Sequence, residues 1–173
     1  MTRVFLSPPD VGLLEREYVN AAIDSNWVAP IGPDLDAFEA DLAALSGRKY
    51  AVGVSTGTAG IHLCLHALGI GEGDRVAVSS FTFAASANAV AYTGATPVFI
   101  DSDAATWNID ADALAAACEA GLKEHRPIRA LLAVDLYGQC CDYERLQGVC
   151  EQYDLVVISD SAEALGADRK SVV

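Results

Sequence analysis

Positive charge is scarce in this sequence: eleven Lys and Arg stand against 24 Asp and Glu, a formal net charge of −13. The longest basic runs are the pairs Arg48-Lys49 and Arg169-Lys170. Nucleic-acid and anionic-membrane surfaces need clustered Lys and Arg, so neither partner is expected. An anionic ligand would instead have to be held by local donors, above all backbone N–H groups at a helix start. The five cysteines are odd in number and include no C-x-x-C, which argues against a zinc site or a disulfide framework and for reduced thiols. His62 and His66 share a helix face, but nothing completes a ligand set, so no metal is expected. No apolar run reaches transmembrane length, and Met1–Pro9 has a Pro pair where a signal peptide would carry a longer apolar stretch. A cytoplasmic protein is expected.

What is present is apolar residue. At 173 residues and 52% hydrophobic content the chain can bury one sizeable core, implying one domain or the larger part of one. Short continuous apolar runs predict buried strands at 50–54, 75–78, 97–100, 130–134 and 155–159, each covered on both faces. Helical patterns separate them at 58–68, 83–93, 110–120 and 142–153, the last with Tyr143, Leu146, Cys150 and Tyr153 on one face. That alternation is the pattern of an α/β fold with a mostly parallel sheet and flanking helices. Two amphipathic helices precede it, at 9–24 and 34–46, the second with Asp34 placed as N-cap and Gly47 as stop. The stretch Asn26–Pro33 between them is too rich in Pro and Gly for regular structure, and its Trp27 predicts an ordered loop.

Two segments point to chemistry. The run 51–54 leads through Ser55-Thr56-Gly57-Thr58 directly into a helix, a place where Gly57 admits close backbone approach and Thr58 offers an N–H and a hydroxyl to a phosphate. An ordinary helix N-cap fits the same residues. Neither the Walker loop nor the dinucleotide G-x-G-x-x-G spacing is present. Asp160 follows the apolar run 155–159, where a carboxylate needs donors or a cation, and a protonated ring nitrogen would serve. Capping a following helix is the other role for it, and Glu163 lies three residues on. Between these segments Ser80–Asn88 offers an aromatic to cover a flat ring, Phe83 being chosen over Phe81, with core packing as the alternative. Asp101 and Asp103 form either a small acidic site or solvated turns.

These residues, in this order, resemble the DegT/StrS-type nucleotide-sugar aminotransferases, pyridoxal 5'-phosphate (PLP) enzymes of fold type I. The resemblance runs from residue 4 to 167 through Asn26–Pro33, Thr56–Ala59, Leu68–Asp74, Ser80–Asn88, Gly94–Asp101, Leu136-Tyr137-Gly138 and Asp160–Gly166. It implies a PLP phosphate held by Gly57 and Thr58, a ring stacked on Phe83, the ring nitrogen paired with Asp160, and Glu163 beside the 3-hydroxyl. It further implies a homodimer that moves an amino group from glutamate to a keto sugar on a nucleotide, for polysaccharide or glycan synthesis. Many members carry Gln where Glu163 stands.

Of the three lysines, Lys49, Lys123 and Lys170, none matches the family's Schiff-base lysine, which is expected beyond Val173. The expected organisation is N-terminal helices and a substrate-side loop over 1–48, an incomplete PLP-binding large domain over 49–167, and a non-native tail over 168–173 that resembles translated sequencing-adapter DNA. On this reading the fragment itself is inactive. A PLP-dependent sugar dehydratase, with His in place of the lysine, or a non-catalytic regulatory protein of the same fold are the alternatives.

Overall fold

The computed structural model describes Arg3 and residues 9–167; the expected foreign tail, with Lys170, lies outside the described residues. The chain divides into two compact units, one ending at Gly53 and one beginning at Val54.

The first unit holds α1 (Leu13–Asp24) and α2 (Pro33–Ser46). Helix α1 starts later than its apolar pattern predicts, at Gly12 as N-cap, whose N–H donates to Glu15 Oε2 at 2.7 Å. Asp34 is not the cap of α2. Gly32 takes that position and Pro33 occupies the first helical turn, where its missing N–H costs nothing. Asp34 and Asp36 then sit in the first turn, facing the positive helix end. Gly47 ends α2 in the left-handed region at φ 64°, as its position predicts. The intervening loop is ordered around Trp27, whose indole Nε1 donates to the Ile31 carbonyl at 2.6 Å.

The strand expected at 50–54 does not form. A strand exists through its ladder, and these residues pair with none of the four strands among the described residues. The Gly53 N–H goes instead to Glu39 Oε1 at 2.7 Å.

The second unit is a parallel sheet of β1 (Arg75–Ser79), β2 (Thr96–Ile100), β3 (Ala130–Val134) and β4 (Val156–Asp160) in the order β2-β1-β3-β4. Helices α3 (Gly57–Ala67), α4 (Ala84–Tyr92), α5 (Ala111–Lys123) and α6 (Tyr143–Tyr153) flank it. Alternation along the strands divides the core. Val76, Val78, Ala130, Leu132 and Ile158 face Ile61 and Leu65 of α3 and Ala89 and Val90 of α4. Ala77, Leu131 and Ala133 face Leu114 and Cys118 of α5 and Leu146 and Cys150 of α6. Burial on both faces, expected of every strand, holds for β1 and β3 only. Val156 and Val157 of β4 and Phe99 of β2 are exposed, because these strands lie at the edges of the sheet. The chain leaves β1 toward β2 and then crosses back to β3, so the order reverses between β1 and β3. In open α/β sheets ligands gather at the carboxyl ends of strands beside such a switch point.

Three thiols lie in the core beneath α5 and α6. Burial, with the Asp135 charge second, pushes Cys141 up to about 12; burial, then Cys118, pushes Cys150 up to about 11; burial also raises Cys118. A group whose pKa is raised by folding contributes stability that is complete below its unfolded value, near 9, and is lost as pH climbs through the folded value. The urea midpoint should therefore fall between roughly pH 9 and 12, at up to about 1.4 kcal/mol per pH unit for each thiol. Equilibrium unfolding at about pH 8 and about pH 10.5 checks this. A Cys141→Ala, Cys150→Ala variant that keeps the full slope would refute it.

Candidate active site

At the segment expected to hold a phosphate, Thr56 is the N-cap of α3: its Oγ1 accepts from the Ala59 N–H at 3.1 Å and its carbonyl from the Gly60 N–H at 3.1 Å. This leaves the first-turn N–H groups of Gly57 and Thr58 without a hydrogen-bond partner among the described residues, at the positive end of a helix of 11 residues. A Cβ built on Gly57 would meet nothing within 4 Å, so the space over that turn is open. The N-cap role falls to Thr56, and the unpartnered N–H groups lie on the two residues after it.

At the second expected segment, Asp160 is the last residue of β4. It caps no helix among the described residues, since 161–167 run through turns closed by Ala164 N–H to Ser161 O and Ala167 N–H to Ala164 O. Its side chain shares the sheet face of Ile158, toward α3 and α4. There Oδ2 accepts from the Ser86 hydroxyl of α4 at 2.8 Å, and Oδ1 lies 3.4 Å from the Ala162 N–H. Ser86 is fully buried and lies 2.9 Å from Thr82 Oγ1. The carboxylate can only accept, so Ser86 spends its proton on Asp160 and Thr82 donates to Ser86. Helix α3 packs on α4 and touches β4, which puts the open N–H groups of α3 and the half-buried carboxylate of Asp160 on one face of the sheet.

Phe83 is the N-cap residue of α4 and is 83% exposed. Phe81, by contrast, packs with the rings of Trp107 and Tyr137 at centroid distances of 5.8 and 6.1 Å. Glu163 Oε2 accepts from the Tyr137 N–H at 2.6 Å, joining the turn after β4 to the 3₁₀ turn Leu136–Gly138, where Tyr137 has a positive φ of 52°. Asp101 and Asp103 are turn residues: Asp103 Oδ1 accepts from the N–H groups of Ala105 and Thr106, and the Thr106 N–H is the chief cause that lowers its pKa.

Sequence reasoning passed over several residues that shape this region. Ser86 lay inside a noted segment without being singled out. Asn108 is buried; its Oδ1 accepts from the Leu136 N–H at 3.0 Å and its Nδ2 donates to the Gln139 carbonyl at 3.0 Å. Asp135 is buried directly after the apolar run of β3, the same signal that marked Asp160 after the apolar run 155–159.

The sequence profile of the DegT/DnrJ/EryC1/StrS aminotransferase family matches residues 9–171. The chain is 44% identical over 168 residues to EpsN of Bacillus subtilis, provisionally named a pyridoxal phosphate-dependent aminotransferase, covering 97% of this chain and 43% of EpsN. It is 41% identical over 167 residues to GDP-perosamine synthase of Caulobacter vibrioides, with 96% and 43% covered. A Streptococcus pneumoniae protein provisionally named a sugar aminotransferase, solved in its PLP form, superposes with a TM-score of 0.83 at 31% identity, over 95% of this chain and 44% of that one. The chain thus spans about two-fifths of the length of these relatives. Matched along nearly all its length in sequence and fold, the chain belongs to the DegT/DnrJ/EryC1/StrS aminotransferase family.

Proposed function

We propose that this chain supplies the cofactor-binding half of a PLP-dependent aminotransferase that moves an amino group from glutamate to a keto group of a nucleotide-linked sugar. The supporting observation is that the donor-bearing start of α3 and the Asp160 carboxylate share one face of the sheet at the carboxyl ends of its strands.

The residues present fit the cofactor. The Gly57 and Thr58 N–H groups, with the helix end behind them, would hold the phosphate, and hydrogen bonds to a charged acceptor contribute roughly 1.5 to 3 kcal/mol each. Phe83 offers an exposed ring surface. Asp160, oriented by Ser86, would accept from a protonated ring nitrogen, and an opposite charge at contact distance stabilises that proton by about 1 to 3 pKa units. When bound, PLP supplies an electron sink for amino-group transfer. Glu163, already fixed by Tyr137, would lie on the 3-hydroxyl side. The lysine that carries the cofactor is assigned to sequence following Asp160 that these residues do not include. The substrate class rests on the similarity to GDP-perosamine synthase, and the same reading takes the working enzyme to be a cytoplasmic homodimer.

The decisive assay incubates the chain, and a version extended to the relatives' length, with PLP, glutamate and a panel of keto sugars on GDP, UDP or TDP. The extended protein should show the visible absorbance of lysine-bound PLP and form 2-oxoglutarate only with a keto nucleotide sugar, while the shorter chain should do neither. Absence of both signals from the extended protein would remove the reading. A second result is expected at Gly57. Because alanine there meets nothing within 4 Å and the position lies in α3 without a positive φ, Gly57→Ala should raise stability by about 0.4 to 1 kcal/mol. It should nevertheless weaken binding of pyridoxamine 5'-phosphate about tenfold, since the new methyl occupies the ligand's approach; calorimetric titration beside thermal melts checks both signs.

A further inference from the structure

We propose that Asp135 is a positioning residue for Asp160, an inference that rests on the cofactor reading above. Asp135 is 3% exposed, and none of the ion pairs among the described residues includes it. Such a carboxylate is stabilised by hydrogen bonds, and beside the Tyr143 hydroxyl of α6 its donors come from the two segments that frame the ring end. Oδ1 accepts from the Cys141 N–H at 2.8 Å, closing the loop that contains Leu136-Tyr137-Gly138. Oδ2 accepts from the Ser161 hydroxyl at 2.7 Å and lies 3.4 Å from that of Ser159. The Asp135 N–H donates to the Asp160 carbonyl at 3.0 Å.

One residue therefore holds the backbone of Asp160 and the Ser161 side chain directly, and Ser159 through Ser161. Along a strand, successive side chains point to opposite faces. With Ser159 and Ser161 drawn to Asp135 on the α5/α6 face, the Asp160 carboxylate is turned to the α3/α4 face, where Ser86 receives it. The proton directions follow from chemistry. Asp135 can only accept, so Ser161 donates to it, Ser159 donates to Ser161 at 2.7 Å, and the Tyr143 hydroxyl donates to Ser159. Cys141, whose thiol burial holds protonated, donates its Sγ–H to the Val134 carbonyl at 3.0 Å and leaves the carboxylate the only charge in the group. The same loop carries the Tyr137 N–H that fixes Glu163. Asp135 thereby sets both acidic residues assigned to the ring end while touching neither the ring nor the reacting atoms.

The test uses this chain with pyridoxamine 5'-phosphate labelled with ¹⁵N in the ring, a probe that needs no lysine. Asp135→Ala should weaken its binding about tenfold and move the ring ¹⁵N signal toward the unprotonated position. Asp135→Asn, which keeps an acceptor for Cys141 and a polar partner for Ser161, should recover most of both. Ser161→Ala, which removes one hydrogen bond, should give a shift of about two- to fivefold and serves if Asp135→Ala does not fold. A folded Asp135→Ala protein with unchanged affinity and unchanged ¹⁵N position overturns the proposal. If the unmodified chain does not bind the probe, the cofactor reading fails, and amide hydrogen exchange without ligand still decides the clamp: Asp135→Ala must speed exchange at Cys141 and at 159–162 at least tenfold, and equal rates overturn it.

Discussion

Asp160→Ala is expected to weaken pyridoxamine 5'-phosphate binding about a hundredfold, the largest ligand effect of any single substitution in this chain. The size follows from the charge: a carboxylate at contact distance from a protonated ring nitrogen is worth about 1 to 3 pKa units, each about 1.4 kcal/mol. Asp160→Asn separates charge from shape. It keeps an oxygen to accept from the Ser86 hydroxyl and keeps the side chain's volume, but it cannot neutralise a cation. It should lose nearly as much affinity as the alanine variant, and the bound ring nitrogen should titrate with a lowered pKa. Ser86→Ala should fall well short of both, because it frees the carboxylate without removing it. Calorimetry and ring ¹⁵N spectra measure these effects. If the asparagine variant bound like the parent, Asp160 would be a structural acceptor and the ring end would lie elsewhere.

Asp160 stands out in the sequence and Asp135 does not, although one pattern marks both. Both carboxylates end apolar runs that become strands, so the sequence marks both as buried or half-buried acids. What separates their roles is the donors each meets, and those come from distant residues: Ser86 is 74 positions from Asp160, and Ser161 is 26 from Asp135. Local pattern placed β1 to β4 and α3 to α6 to within a few residues because hydrophobic runs and helical periodicity report burial along a single segment. It failed at 50–54 for the complementary reason. Apolar content there matches a strand, but pairing is a property of a second segment, and among the described residues none pairs with it. It also overstated burial in β2 and β4, since a continuous apolar run does not reveal whether its strand is central or at the edge. Capping errors were smaller and steric: Pro33 took the first turn of α2 and displaced Asp34 from the cap.

The second large effect concerns the first unit. Gly32 is at φ 143°, a region open to glycine and strained for any L side chain, and an added Cβ would lie 1.8 Å from Trp27 Nε1. No small adjustment absorbs an overlap of that size. The indole must rotate away, which breaks its 2.6 Å hydrogen bond to the Ile31 carbonyl and opens the loop that it closes. Backbone strain of about 1 to 3 kcal/mol and a lost hydrogen bond of about 1 kcal/mol add to that overlap, so Gly32→Ala should cost about 2 to 4 kcal/mol. The loss should appear as a red-shifted Trp27 fluorescence signal and faster amide exchange through 26–36. Because β1 to β4 and their core belong to the other unit, exchange in those strands should stay within about twofold of the parent. Trp27→Phe keeps an aromatic ring but cannot donate to Ile31, so it should give a milder loosening of the same residues, and a Gly32→Ala protein with parental fluorescence and exchange would show that the indole does not order this loop.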